Sequence, residues 1–251
     1  MDTLQRHVVR EALTASLPYT GALAGSAALY EYGYPERPLD YFNITTPTTD
    51  PALFARMKAA VAAALETEAF TVTQSNSLAA PGALWAELEV RDGADLIATL
   101  SLESDVHRRH SPSPLDIGAV THIDDVAAER LSSLYGGVNA RDYVDVDALV
   151  GSGRFPIDKL AQHAARARRE AIDPRLLAER LHQVHVIPRE DLEAMGLTNR
   201  DQMVMSQRFE KWSKQLENLP SKRPSAPTPL NSPPPSLQGP QAGYSGPTRG
   251  L

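Results

Sequence analysis

The chain has 251 residues, 42% of them hydrophobic and 22% charged, a balance ordinary for globular proteins and compatible with one or two domains. A formal net charge of −6 argues against a general basic coat for nucleic acid and leaves room only for a local basic groove. The absence of cysteine excludes disulfides and thiolate metal sites. With no signal-peptide core and no run of about 18 apolar residues, the expectation is a soluble, cytoplasmic protein that does not engage a membrane.

Residues 3–16 carry apolar side chains at helical spacing (Leu4, Val8, Val9, Ala12, Leu13) and stop before Pro18. YTGALAG reads as a short buried strand that Gly25 and Ser26 turn into a helix through Tyr32. DYFNITT is rich in aromatic and β-branched residues and reads as a strand. In DPALFARMKAAVAAALETEA, Asp50 is placed to cap a long helix that has Pro51 at its first position. FTVTQS, ALWAELEV and LIATLSLES follow as strands, the last two joined by the hairpin signal RDGAD. From Asp124 onward the pattern is helical up to Leu219.

The expected fold is therefore α+β. A mixed sheet with helices occupies residues 1–122, and a helical part follows over 123–219. Beyond it, 220–251 holds nine of the twenty prolines and almost no large apolar side chain, so a disordered Pro-rich tail is expected there. Deleting residues 222–251 is accordingly expected to leave the thermal midpoint nearly unchanged. A drop of many degrees in a melting experiment would show that the tail packs on the rest of the chain.

Few residues carry chemistry on spacing alone. The Gly25-Ser26 turn offers free backbone N–H groups to a phosphate, although many strand-to-helix turns are small for packing reasons only. RPLDYFNIT presents one carboxylate, Asp40, whose same-face neighbour is Phe42, so this strand is not expected to hold a metal. Thr99, Ser101 and Glu103 alternate along one face of the following strand segment, as the wet side of a half-buried sheet does. Arg141 and Asp145 are i,i+4 neighbours on a helix. His182 and His185 lie three apart on a helix without an acidic third ligand nearby, and no zinc signature, Walker loop or serine–histidine–aspartate order occurs.

Taken in order, these pieces resemble the AbiEii/AbiGii nucleotidyltransferase toxin family, in particular its short actinobacterial-type members, over roughly residues 4 to 218. LAGSAAL is similar to the family's turn and helix, and Arg37 to its arginine. The family's R-x-S-x-D-h-D-h pattern then places Leu39 at the serine, Tyr41 at the first aspartate and Asn43 at the second. Ser101 stands where the third acidic strand has its carboxylate. DDVAAERLSSLYGGVNARDYVDVDALVGSGRF resembles the helical block, with Arg130 at the lysine position and Arg141, Asp142 and Asp145 retained.

The resemblance implies a nucleotidyltransferase fold that transfers a nucleotide from a nucleoside triphosphate, with RNA such as transfer RNA as acceptor in some members and an antitoxin as partner. That chemistry needs carboxylates for Mg²⁺, and all three positions are substituted here. The first expectation is a degenerate member that binds a nucleotide or small molecule without metal or other cofactor. The second is a metal-free enzyme for isomerisation or cyclisation, with Tyr41, Asn43 and Ser101 as catalytic positions. The third is an active transferase with Mg²⁺ and acids drawn from Asp40, Glu103 or Asp105. In each reading Gly25, Ser26, Arg37, Arg130 and Asp142 are the ligand-binding positions, and Arg130 is expected as a cation at the rim.

Overall fold

The computed structural model describes residues 1–34, 37–39, 41–75, 84–168 and 171–218. The segment expected as a disordered tail and the candidate carboxylate Asp40 lie outside them.

Helix α1 (Thr3–Ser16) starts in a capping box, in which the Asp2 side chain accepts from the Gln5 N–H while the Gln5 side chain reaches back to Asp2. Its buried stripe is Val8, Val9, Ala12 and Leu13. Strand β1 (Ala22–Ala24) runs straight into α2 (Gly25–Glu31), and β2 follows (Tyr41–Thr46). Helix α3 (Pro51–Thr67) has the expected Asp50 cap, accepting from the Ala52 N–H at 2.8 Å, and Pro51 at its first position. Strands β3 (Thr71–Gln74), β4 (Trp85–Asp92) and β5 (Asp95–Ser104) complete the run, with β4 and β5 turning at Gly93, φ +58°.

Two further strands, β6 (Ser113–Leu115) and β7 (Gly118–Val120), form a short hairpin not apparent in the sequence. The sheet order is β3-β4-β5-β2-β1-β7-β6. β2 pairs parallel with β5 and antiparallel with β1, and β1 pairs parallel with β7. The fold is thus α+β around a seven-stranded mixed sheet.

Register decides which side chains face where. Phe42 lies opposite Leu100, and Leu100 opposite Leu88; Ile44, Leu102 and Ala86 line up in the same way. All six are at most 3% exposed, and they share the core with the buried stripes of α1 and of α3 (Phe54, Met57, Val61, Leu65). The period of two then sends the intervening residues to the opposite face: Tyr41 beside Thr99 and Glu89, Asn43 beside Ser101 and Glu87. That second, polar face looks toward the helices that follow.

These are α4 (Ile123–Gly136), α5 (Ala140–Gly151), α6 (Ile157–Arg168), α7 (Pro174–His182), α8 (Arg189–Ala194) and α9 (Asn199–Glu217). Helix α9 is anchored by Phe209, whose ring lies 5.2 Å from those of both Tyr143 in α5 and Trp212 in α9 itself. The Ser213 hydroxyl donates to the Ala178 carbonyl of α7 at 3.1 Å. The described residues from α1 to α9 belong to one compact unit. None of the described helices is long and apolar enough to cross a membrane.

Candidate functional site

Gly25 opens α2 with φ +62°, a left-handed conformation that disfavours any Cβ. A Cβ there would meet only ordinary contacts, 3.6 Å to Asn43 and 3.8 Å to Arg130, so backbone conformation rather than space requires the glycine. The turn brings α2 against the helical half. The Ser26 hydroxyl donates to Asp145 Oδ2 at 2.7 Å, and that bond engages the side chain expected to meet a ligand.

Asp145 sits at the middle of the site. Its other oxygen pairs with Arg37, and both side chains are nearly inaccessible, 6% and 5% exposed. Arg37 also donates to the Arg141 carbonyl at 3.4 Å. Burial lowers the Arg37 pKa from its ordinary value, with Asp145 opposing the shift. Arg37 and Asp145, far apart in sequence, thus tie the segment before β2 to α5.

Arg130 of α4 lies on the same side, ion-paired with Glu129, with Asp142 at 3.2 Å and more distantly with Asp145 at 3.8 Å. Burial works against its charge, but Glu129, Asp145 and Asp142 outweigh it and hold the guanidinium above its ordinary value. Burial raises the pKa of Asp142, and Arg130 offsets this only in part, because Asp145 and Glu129 add like charge. Arg130 lines the cleft as a cation, with its charge shared among three carboxylates.

On the polar sheet face, the Asn43 amide donates to Glu103 Oε1 at 3.1 Å, and the Ser101 hydroxyl donates to the same oxygen at 2.6 Å. Tyr41 donates to Glu87 Oε2 at 3.2 Å, and Ser75 to Glu87 Oε1 at 2.6 Å. Ser101 is fully buried and also accepts from the Trp85 indole at 3.1 Å. It lies beside Asn43, as the alignment of the strands requires, but does not line the cleft. Burial raises the pKa of Tyr41 and of Glu103; for both groups a hydrogen bond with Ser101 opposes the shift.

The cleft itself is a cavity of about 470 Å³ between this face and the helical half. Ser26, Tyr41, Asn43, Arg130 and Asp142 line it, together with the start of α5 and the segment from Ile187 to Met195. Gly25 underlies it next to Asn43 and Arg130, and Arg37 lies behind it, on a second cavity of about 690 Å³ shared with Tyr32, Tyr34 and Arg208. Asp105 faces elsewhere, lining a separate cavity with His107 and Asp125.

Sequence reading missed Glu87 and the wall from α8. The alternation Trp85-Glu87-Glu89 in β4 was the available signal for Glu87. Nothing in the sequence brings Ile187–Met195 to β2.

The chemistry open to this face is that of neutral polar groups beside held carboxyls. Mg²⁺ favours near-octahedral oxygen geometry and one or two carboxylates beside a triphosphate. The two alternate β2 positions offer a phenol and an amide, and the adjacent glutamates accept hydrogen bonds from them. Those two β2 positions supply no carboxylate to the ion.

Glu103→Gln tests the electrostatics of the face. Burial raises the Glu103 pKa above 4.5, so the folded state holds this proton more tightly than the unfolded chain. Its contribution to stability is complete below the unfolded value and is lost as pH rises through the folded one. Gln can still accept from Asn43 and Ser101. The variant is expected to be more stable than the parent in urea denaturation at about pH 7, with the difference disappearing near pH 4. A less stable variant at pH 7 would show that the ionised carboxylate is favourably paired.

No protein-family model and no curated protein sequence matches the chain. Among solved structures it is similar to MenT4, a nucleotidyltransferase toxin from Mycobacterium tuberculosis, at 15% identity and a TM-score of 0.55, over 86% of this chain and 84% of that one. It also aligns with JHP933 from Helicobacter pylori, at 15% identity and a TM-score of 0.47, over 86% of this chain and 98% of that one. The likeness to MenT4 gives the fold: the sheet and its helices are nucleotidyltransferase-like.

Proposed function

We propose that the chain is a nucleotidyltransferase-fold protein of the AbiEii/AbiGii toxin kind whose cleft no longer carries out metal-dependent nucleotide transfer and instead binds a small organic or nucleotide ligand. One observation carries the reading. Where two aspartates would project from alternate positions of β2, Tyr41 and Asn43 project instead, and they donate to Glu87 and Glu103. Those hydrogen bonds engage two glutamates of the neighbouring strands, Glu87 of β4 and Glu103 of β5. A cleft built this way recognises its ligand through hydrogen bonds and shape.

A second reading has its own support. Tyr41 and Asn43 both line the cleft, and a phenol beside an amide is suited to polarising a carbonyl in an isomerisation or cyclisation without metal. Neighbouring genes distinguish the two readings: an antitoxin gene favours a toxin-derived binding protein, and a biosynthetic cluster favours the metal-free enzyme.

Incubation with radiolabelled nucleoside triphosphates, Mg²⁺ and bulk transfer RNA tests the loss of transfer. The expected result is no label on RNA above the level of a heat-denatured control. Labelled RNA that disappears in Asn43→Ala would overturn the reading and point to an active transferase using acids from β4 and β5.

A further inference from the structure

A second constellation lies outside the cleft. His110 belongs to the connection between β5 and β6, His122 is the N-cap residue of α4, and Asp124 is in the first turn of that helix. The two imidazoles stack, with centroids 4.5 Å apart and planes 29° from parallel. One ligand atom from each of His110, His122 and Asp124 lies within 4.8 Å of the other two. His110, Asp124 and Asp125 also line a cavity of about 200 Å³ with His163.

Buried Asp125 gives His110 a fixed role. Its Oδ2 accepts from the backbone N–H of Arg109 at 3.0 Å and of His110 at 2.8 Å. Its Oδ1 lies 2.9 Å from His110 Nδ1. A carboxylate anchored in this way takes the Nδ1–H and leaves the Nε2 lone pair outward, the relation found behind metal-bound histidines. His122 stacks on His110, accepts from the Asp124 N–H through Nδ1 at 3.3 Å, and has Asp124 Oδ2 at 3.8 Å from the same nitrogen.

We propose that His110, His122 and Asp124 bind a divalent transition-metal ion, Zn²⁺ in the first instance, with Asp125 as the positioning residue for His110. Two imidazoles and a carboxylate match the donors that Zn²⁺ and its neighbours prefer, and three protein ligands leave a coordination position for water. Ligands about 2.0–2.1 Å from a tetrahedral ion lie about 3.4 Å from one another, so separations of up to 4.8 Å must close by up to about 1.4 Å. His110 is exposed, and Asp124 gives up only a long contact with Arg154, 3.9 Å, to do so. Arg109 and Arg166, on the same cavity, add opposing positive charge and set a limit on affinity. The ion would fasten the β5–β6 connection to the start of α4.

The test uses the untagged full chain, stripped with EDTA and titrated with ZnCl₂ by calorimetry. One equivalent is expected to bind and to raise the thermal midpoint. His110→Ala, His122→Ala and Asp124→Ala are each expected to weaken binding at least about tenfold, and Asp125→Asn by about 10–100-fold. His182→Ala, on a different helix, is expected to leave it unchanged. Should the variants fail to fold, Co²⁺ added to the parent protein gives an independent readout, the visible absorption of a low-symmetry site. Absence of saturable Zn²⁺ binding, absence of a Co²⁺ band, or binding unaltered in His110→Ala and His122→Ala would each overturn the proposal.

Discussion

Asp145→Ala is expected to lower the unfolding free energy by about 3–5 kcal/mol, the cost of leaving a buried charge without its partner. Arg37 would lose its carboxylate while 6% exposed, Ser26 would lose its acceptor, and Arg130 would lose one of three counter-charges. The arrangement is a frame as much as an ion pair, since it joins the turn into α2, the segment before β2 and helix α5. Asp145→Asn separates charge from shape, because an amide oxygen still accepts from Ser26 but no longer neutralises Arg37. The double variant Arg37→Met, Asp145→Leu is expected to cost much less than the sum of the two single changes. Urea denaturation of the parent, Asp145→Ala, Asp145→Asn, the double variant and its two single changes checks this. A loss below about 1 kcal/mol in Asp145→Ala, as for an exposed pair, would mean that water reaches the site.

Phe209→Ala is expected to be as severe, at about 3–5 kcal/mol. The ring is fully buried between Tyr143 and Trp212, where α5 meets α9, and the Tyr143 hydroxyl on that interface donates to the Arg180 carbonyl. Removal leaves a cavity that three packed helices cannot close without moving. Because α5 carries Asp142 and Asp145, the cleft is expected to loosen along with the helical half. Chemical denaturation and the near-ultraviolet dichroism of Trp212 report the two effects. A variant with parental stability would show that α9 contributes little to the packing of α5.

Much of the fold was legible in the sequence because its signals are local. Asp50-Pro51 starts α3 by cap and fixed φ, and the β4–β5 hairpin turns at a glycine in the left-handed region. The period of two places Phe42 and Ile44 on one face and Tyr41 and Asn43 on the other. β6 and β7 were not legible: three residues cannot establish a period, Pro114 lacks a backbone donor, and β7 exists because Val120 pairs with Leu23 across the sheet.

Of the expected positions, Ser26, Arg130 and Asp142 line the cleft from helices, and Tyr41 and Asn43 from a strand. Tyr41 and Asn43 reach the cleft because β2 alternates. Ser101 alternates too, but the Trp85 indole and Glu103 enclose it, a matter of neighbours on two other strands. Arg130 is placed at the cleft by the resemblance, but its carboxylates come partly from α5, which no spacing in α4 announces. The two stacked histidines lie twelve positions apart and meet because the β6–β7 hairpin returns the chain to the start of α4.

We propose that the chain keeps the nucleotidyltransferase frame without the metal-dependent chemistry of its β2 strand. Calorimetric titration of the four nucleoside triphosphates, in Mg²⁺ and again in EDTA, tests it most directly. The expected result is weak or undetectable binding that is the same with and without Mg²⁺. Micromolar binding that requires Mg²⁺ and is lost in Asn43→Ala would contradict the claim.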